Sequence, residues 1–193
     1  MKIAVIKYNA GNIRSVGFAL ERLGVSADIT DDFSTIISAD KVIFPGVGEA
    51  GTTMKYLKNK GLDILLRDLK QPVLGICLGQ QLMCSHSEEG NTDCIGIFDV
   101  PVLKFPPLQK VPHMGWNSLI NAKGSVFKGL PADSYVYFVH SYYVPVCEFT
   151  AAECNYIVHF SAALQKNNFF ATQFHPEKSG DTGHHILKNF IEL

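Results

Sequence analysis

The chain has 193 residues, of which 47% are hydrophobic and 18% are charged, and its formal net charge is -1. A near-neutral chain with both signs scattered along it gives no electrostatic reason to expect a nucleic acid or a membrane surface as partner. The apolar stretches fall far short of the roughly 20 residues of a membrane span, and the first is too short for the core of a secretory signal. A cytoplasmic chain that forms one domain, residues 1–193, is therefore expected.

The first half of the sequence alternates strands and helices. Strands are predicted over residues 2–8, 26–30, 41–46 and 72–76, and helices over 12–24, 31–38, 52–70 and 79–89. The third helix is divided at Gly61, and the glycine-rich residues 46–51 are predicted to form a loop. Strands separated by helices imply right-handed crossovers and a mainly parallel sheet.

The second half is dominated by predicted strands with short connections. They cover residues 95–105, 113–120, 134–144 and 149–156, followed by a hairpin over 160–174 that turns at 166–168. A last helix over 179–193 would be capped by Ser179 and would bury its apolar face, which consists of Ile186, Leu187 and Phe190. The predicted fold class is α/β, with a mainly parallel central sheet supplemented by antiparallel strands.

The cysteines and histidines show no metal-ligand spacing. An odd number of cysteines without a CxxC pair argues against both a disulfide framework and a zinc site. They are Cys77, Cys84, Cys94, Cys147 and Cys154. His184 and His185 are adjacent, and neighbours on a helix point about 100° apart, which is a poor geometry for a shared ion. Neither a metal site nor a cofactor is expected.

One of these cysteines lies between glycines at the junction of a predicted strand and helix, in the sequence Gly75-Ile76-Cys77-Leu78-Gly79. The same glycine spacing surrounds the serine of a G-x-S-x-G nucleophile elbow. A helix that begins near Leu78 would favour the thiolate and would present free backbone N–H groups to a developing oxyanion. The alternative is that Cys77 is a small buried hydrophobe, as most free cysteines are.

A candidate base and its orienting group come much later in the sequence, as His175 and Glu177 on either side of Pro176. The proline excludes helix, and side chains two apart on an extended backbone can face the same side. Glu177 could then hold the tautomer of the His175 imidazole. The alternative is an ordinary exposed turn, and only the fold could bring His175 to Cys77.

Taken together, "PVLGICLGQQL" (residues 72–82) and "ATQFHPEKSG" (171–180) resemble the class I, or triad, glutamine amidotransferases, whose Cys, His and Glu hydrolyse glutamine to glutamate and ammonia. Within that family, further segments are similar to the glutaminase subunits of imidazole glycerol phosphate synthases in histidine biosynthesis. These segments are "YNAGNIRSV" (8–16), "FPGVGEA" (44–50), "VPHMGWNSL" (111–119), "YFVHSYYV" (137–144) and "NFFATQFHPEKSG" (168–180). The resemblance implies a three-layer, flavodoxin-like fold.

The resemblance also implies roles for individual residues. Cys77 would be the nucleophile, His175 the acid and base, and Glu177 the group that orients His175. The oxyanion hole would be formed by Val47, Gly48 and Leu78. Glutamine would be bound by Gly48, Gln81, Glu89, Ser141 and Tyr142.

Two of these assignments have open alternatives. Gln80 adjoins Gln81 and could face the site in its place, and Glu89 could belong to a solvated helix end.

The implied partner is a cyclase subunit with a (β/α)8 barrel, which would form a heterodimer with this chain and receive its ammonia. Rival interpretations are another triad amidotransferase, a catalytically silent docking subunit, and a γ-glutamyl peptidase that acts alone.

Overall fold

A computed structural model describes residues 1–8, 13–46 and 48–193 of the chain. The elements of the first half, in chain order, are β1 (Ile3–Ile6), α1 (Ile13–Arg22), β2 (Ala27–Thr30), α2 (Phe33–Ser38), β3 (Lys41–Phe44), α3 (Ala50–Lys60), α4 (Leu62–Asp68), β4 (Val73–Ile76) and α5 (Leu78–Met83). Those of the second half are β5 (His86–Ser87), β6 (Thr92–Asp93), β7 (Pro101–Lys104), β8 (His113–Ser118), β9 (Tyr135–His140), β10 (Tyr142–Tyr143), β11 (Thr150–Tyr156), β12 (Val158–Lys166), β13 (Phe169–Thr172) and α6 (Gly180–Ile191).

The main sheet has seven strands in the order β11-β12-β13-β4-β3-β1-β2. The pairs from β13 to β2 are parallel, and β11 and β12 continue the sheet as antiparallel strands. This arrangement confirms the predicted mainly parallel sheet with antiparallel additions. A four-stranded sheet, β10-β7-β5-β6, and a separate β8-β9 hairpin lie outside it.

Helices cover both faces of the main sheet, so the molecule has three layers. Alternate residues of β1 divide between two apolar clusters: Ile3 and Val5 belong to the cluster that contains α1 and α6, and Ala4 and Ile6 to the cluster that contains α2 to α5. This is the alternation expected of a strand buried on both faces. The three-layer architecture implied by the resemblance is thus confirmed.

Gly61 and the turn of the β12-β13 hairpin act as predicted, whereas α3 begins two residues earlier than expected. Gly61 adopts the left-handed conformation (φ 70°) and separates α3 from α4. α3 begins at Ala50, inside the residues predicted as loop, because the Glu49 side chain accepts hydrogen bonds from the free backbone N–H groups of the first turn. The β12-β13 hairpin turns at Asn167 and Asn168, with Lys166 opposite Phe169.

Two predicted elements are too long. The helix predicted over 79–89 ends at Met83, and of the strand predicted over 95–105 only Pro101–Lys104 is formed. Both differences have one cause: the backbone N–H groups of Ile95, Gly96, Ile97 and Phe98 bond to carbonyls in the last turn of α5 and at Cys84. The segment expected to be a strand therefore caps the helix and satisfies its free carbonyls.

Two further expectations need correction. The strand predicted over 134–144 is interrupted at Ser141, where the chain passes from β9 to β10. Ser179 occupies the N-cap position of α6 but makes no capping bond, because its hydroxyl donates to the His175 carbonyl (2.6 Å) and accepts from the Tyr137 N–H (2.9 Å). Ser179 thus ties α6 to the end of β13 and to β9, while Ile186, Leu187 and Phe190 are buried as expected.

The longest of the described helices is α6, with 12 residues. A bilayer-spanning helix needs about 20 apolar residues. Within residues 1–8, 13–46 and 48–193, no helix has the length and apolarity to cross a membrane.

Candidate active site

Cys77 lies at a sharp corner between β4 and α5. Its backbone has φ 53° and ψ -107°, a conformation that is strained for a residue with a side chain. The corner is held by a hydrogen bond from the Cys77 N–H to the carbonyl of Thr172 in the neighbouring strand, 2.7 Å long. The geometry is that of a nucleophile elbow, and the thiol is 8% exposed at the carboxyl end of the sheet.

The glycines around this corner are required by close packing. A Cβ on Gly79 would come within 2.1 Å of the Phe44 carbonyl oxygen, and one on Gly46 within 2.2 Å of the Gly79 nitrogen. A Cβ on Gly75 would lie 2.5 Å from the Met83 sulfur. The loop after β3 thus packs directly against the first turn of α5, which the glycine spacing alone did not reveal.

The fold brings His175 to Cys77 although the two are far apart in sequence. β13 pairs with β4 in parallel, with Thr172 opposite Ile76, so the segments that follow these two strands leave the sheet side by side. The Nδ1 of His175 lies 2.8 Å from Oε1 of Glu177, and both side chains are buried. The exposed turn considered from sequence is therefore wrong, and the orientation of the imidazole by Glu177 is geometrically satisfied.

The electrostatics of His175 favour its charged form. Burial alone would lower the pKa of the imidazole, but the neighbouring Cys77 sulfur and Glu177 carboxylate outweigh it and raise the pKa to about 10. The Nε2 atom is buried and has no hydrogen-bond partner among the described residues. It is therefore available for proton exchange with a group bound in the cavity in front of Cys77.

That cavity has a volume of about 330 Å3. It is lined by Gly46, Gly48, Cys77, Leu78, Gln81, Glu89, Pro112, Val139, His140, Ser141, Tyr142 and His175. Every predicted site residue that the structure describes lines it, except Glu177, which lies behind His175. Val47, predicted for the oxyanion hole, lies outside the described residues.

The two adjacent glutamines have different surroundings. Gln81 lines the cavity, and its Nε2 donates to the Tyr142 carbonyl (3.1 Å) and to Oε1 of Gln173 (3.0 Å). Gln80 is fully buried, and its nearest acceptor is the Ser161 carbonyl at 3.5 Å. Gln81 is therefore the one that can meet a ligand.

Glu89 is half-buried in the cavity wall and accepts a hydrogen bond from the Ala50 N–H, 2.8 Å long. Burial raises the pKa of its carboxyl group, and the hydrogen bond from Ala50 opposes that rise. Since the helix ends at Met83, Glu89 does not belong to a helix end but to the turn between β5 and β6. A carboxylate in this position suits a ligand with an ammonium group.

Sequence reasoning missed Gln173 and His140. Gln173 is fully buried, with Oε1 bonded to Gln81 and Nε2 at 3.7 Å from the Cys77 sulfur. His140 donates from Nδ1 to the Tyr142 carbonyl (2.7 Å) and accepts at Nε2 from the Nδ1–H of His113 (3.0 Å). Both residues stand in quoted motifs, but only the register of β9 and β13 shows which way they point.

Known proteins are similar to the chain over nearly its whole length. The family described as glutamine amidotransferase class-I matches residues 4–193. An imidazole glycerol phosphate synthase subunit HisH from Bacteroides fragilis (strain YCH46) is 66% identical over 196 residues, which cover 100% of each chain. The protein of the same name from Bacteroides thetaiotaomicron is 64% identical with the same coverage.

Solved structures add a likeness in fold. The crystal structure of a glutamine amidotransferase has a TM-score of 0.75 at 17% identity, over 98% of this chain and 97% of that one. At that identity the likeness concerns architecture alone, whereas the family match and the two relatives extend over nearly every residue. The chain thus belongs to the class-I glutamine amidotransferases, a family of enzymes, and within them to the HisH subunits of imidazole glycerol phosphate synthase.

Proposed function

We propose that the chain hydrolyses glutamine to glutamate and ammonia with Cys77, His175 and Glu177, and that it supplies the ammonia to a cyclase subunit of imidazole glycerol phosphate synthase in histidine biosynthesis. One observation carries the proposal. Cys77, on a strained elbow, shares a cavity with His175, and the far nitrogen of that imidazole is bonded to Glu177. These are the three parts that cysteine-dependent amide hydrolysis needs: a nucleophile, an acid and base, and an orienting carboxylate.

The reaction is an acyl transfer in two halves. The Cys77 thiolate attacks the side-chain amide carbon of glutamine and forms a C–S bond. His175 gives its Nε2 proton to the amide nitrogen as the C–N bond breaks, and ammonia leaves. Water then loses a proton to His175 and attacks the thioester, which releases glutamate and restores the thiolate. The raised pKa of His175 keeps the imidazole charged for the first proton transfer.

The cavity walls provide the binding groups. Glu89 pairs with the ammonium of glutamine, and Gln81 and the Ser141–Tyr142 segment bind its polar atoms. The Leu78 N–H, in the first turn of α5, has no partner within the helix and stabilises the oxyanion. Gly48, together with Val47, completes the oxyanion hole, and the positive φ of Gly48 (120°) is one that glycine adopts without strain.

The partner docks on the β8-β9 hairpin. Met114, Trp116 and Tyr135 project from one face of it and are exposed. Large apolar and aromatic side chains in a contiguous patch are typical of a protein interface. The partner is a (β/α)8-barrel cyclase that takes up the ammonia before it is lost as ammonium to solvent.

The test of the chemistry replaces Cys77 by serine and, as matched control, replaces the half-buried Cys94 by serine. Release of glutamate from glutamine is measured with a cyclase subunit of imidazole glycerol phosphate synthase present. Cys77→Ser is expected to lower the rate by about 10³-fold or more, because the thiolate nucleophile is lost, and Cys94→Ser to leave it unchanged. Turnover near the normal rate in a folded Cys77→Ser variant would exclude the proposed nucleophile.

A further inference from the structure

We propose that Gln173 is a positioning residue: it directs an amide N–H at the Cys77 sulfur and fixes the orientation of Gln81, which lines the cavity. The inference rests on the proposed function, because it concerns how the nucleophile and a glutamine-binding side chain are held. Gln173 is completely buried, and its two amide atoms face two different residues of the site.

The orientation of both amides follows from a single carbonyl. The Tyr142 carbonyl oxygen can only accept, so the Gln81 atom that lies 3.1 Å away must be the NH2 nitrogen. The same nitrogen lies 3.0 Å from the amide of Gln173, which must present its oxygen there. The other end of Gln173, at 3.7 Å from the Cys77 sulfur, is therefore its NH2 group.

The carbonyl that determines this order is itself held in place. It also accepts the Nδ1–H of His140 at 2.7 Å, and His140 in turn accepts from His113 at 3.0 Å. Burial lowers the pKa of His113 to about 4 and that of His140 to about 3, so both imidazoles are neutral at pH 7. The bonds then run without interruption from the β8-β9 hairpin through Tyr142, Gln81 and Gln173 to the sulfur.

This geometry has two consequences. An N–H donor aimed at sulfur stabilises the thiolate over the thiol, and it does so more strongly in a buried site than in water. In addition, the Gln81 nitrogen is occupied by Tyr142 and Gln173, which leaves the Gln81 oxygen to accept from a bound ligand. Gln173 thus acts on the substrate through Cys77 and Gln81 without being required to touch it.

The adjacent Gln80 provides a matched control. It is the same residue type, it is equally buried, and it lies one residue before Gln81, but its amide faces the Ser161 carbonyl and does not line the cavity. Methionine has nearly the same shape as glutamine and cannot make either hydrogen bond. Gln173→Met and Gln80→Met therefore change the side-chain volume equally. Only Gln173→Met removes the hydrogen bonds to Gln81 and to the Cys77 sulfur.

The test measures the rate of alkylation of Cys77 by iodoacetamide at pH 7, with the Cys77 peptide quantified by mass spectrometry. Gln173→Met is expected to lower this rate by about 3- to 10-fold, because the donor to the thiolate is lost, and Gln80→Met to leave it unchanged. A second variant, Gln173→Glu, keeps the acceptor towards Gln81 and replaces the donor by an acidic group, so it should lower the rate at least as far. Thermal unfolding shows that each variant is folded under the assay conditions.

Glutamine turnover completes the experiment: Gln173→Met should lower kcat more than it raises KM, because the thiolate is used in the chemical step. An unchanged alkylation rate in both Gln173 variants, or an equal loss in Gln80→Met, would overturn the positioning role. Failure of the proposed function gives a different result, since turnover would then survive Cys77→Ser whatever the alkylation rates are.

Discussion

At the scale of single residues, the site depends on positions where no side chain fits. Cys77 keeps a strained backbone (φ 53°), a conformation that costs of order 1–3 kcal/mol and persists only where its surroundings enforce it. The enforcement comes from Gly79, whose α-carbon packs on the Phe44 carbonyl, and from Gly46, which packs on the Gly79 nitrogen. The first turn of α5 and the loop after β3 are therefore held at a fixed distance, with the thiol between them.

This packing predicts opposite effects for the same substitution at two glycines. Gly79→Ala introduces a Cβ 2.1 Å from the Phe44 oxygen and should lower the free energy of unfolding by about 2 kcal/mol or more, with loss of glutamine turnover. Gly17→Ala, within α1 and with no atom inside 4 Å of the new Cβ, should raise it by about 0.5–1 kcal/mol. Urea unfolding measures both, and equal stability of the two variants would contradict the close packing at the elbow.

The sequence reveals some of these residues and conceals others for a physical reason. Cys77 and its glycines, and His175 with Glu177, are neighbours in sequence, so their spacing carries the geometry. Gln173 has no such local signal, because its amide is oriented by the Tyr142 carbonyl through Gln81. Its contacts depend on strand register, which spacing does not contain.

At the scale of elements, the β8-β9 hairpin has two different faces. Its inner face carries His113 opposite His140, stacked among aromatic rings, with His113 4.0 Å from Tyr156 between ring centroids. Burial lowers the pKa of both imidazoles, to about 4 and about 3. The native hairpin therefore keeps two neutral histidines that the unfolded chain would protonate near pH 6.5.

The sign of the pH dependence follows from these values. Below pH 6.5 the two histidines bind protons in the unfolded chain but stay neutral in the native state. The free energy of unfolding therefore falls as the pH falls towards 4 and 3. Between pH 7 and pH 5 each histidine contributes a loss of up to about 2 kcal/mol. His113→Gln should remove about half of the loss due to this pair, as measured by urea unfolding at the two pH values.

The exposed His184 serves as the control for this prediction. His184→Gln removes an imidazole that the native fold leaves exposed, so it controls for the loss of a histidine as such. If His113→Gln and the parent chain lose stability equally between the two pH values, the hairpin histidines do not titrate as their burial requires.

Element boundaries show where sequence patterns lose information. Residues 85–89 are polar and fit the solvent side of a helix, yet α5 ends at Met83, where residues 95–98 cap its last turn, and His86 and Ser87 pair with β7 and β6. Residues 95–98 are apolar like a strand, but their N–H groups bond to the last turn of α5. In both cases the deciding partner lies outside the segment itself, whereas β1 and β3, buried on both faces, were predicted from their own residues.

At the scale of the whole molecule, the sheet order joins the two halves of the sequence. β4, which Cys77 follows directly, lies between β3, from the first half, and β13, which precedes His175. Alternation of strands and helices predicts a parallel sheet, but it does not say that β13 is inserted next to β4. The adjacency of Cys77 and His175 could therefore be expected only from the family resemblance.

The exposed face of the hairpin lies close to the cavity. Strand β9 contributes Val139 and His140 to the cavity wall, and its Tyr137 pairs with Trp116 on the exposed face. Trp116 is 55% exposed and is the one tryptophan of the chain. Exposed tryptophans that become buried at an interface often carry a large share of the binding energy. Binding of the cyclase subunit should therefore both change the fluorescence of Trp116 and depend on its side chain.

Trp116→Ala is expected to weaken binding of the cyclase subunit by about 10- to 100-fold, measured by isothermal titration calorimetry, without a change in the unfolding temperature of the chain. Ile64→Ala in α4 is the matched control, because Ile64 is also a large apolar residue with 55% exposure but lies on another element. The dissociation constant of the complex between the Ile64→Ala variant and the cyclase subunit should be unchanged. Equal affinities for Trp116→Ala and the parent chain would exclude the hairpin as the docking face. A loss of affinity confined to Trp116→Ala would mean that the partner binds on the outer face of the β8-β9 hairpin. The inner face of the same hairpin carries the His113–His140 hydrogen bond, from which the chain of bonds to the Cys77 sulfur begins. Docking and catalysis would then share one hairpin.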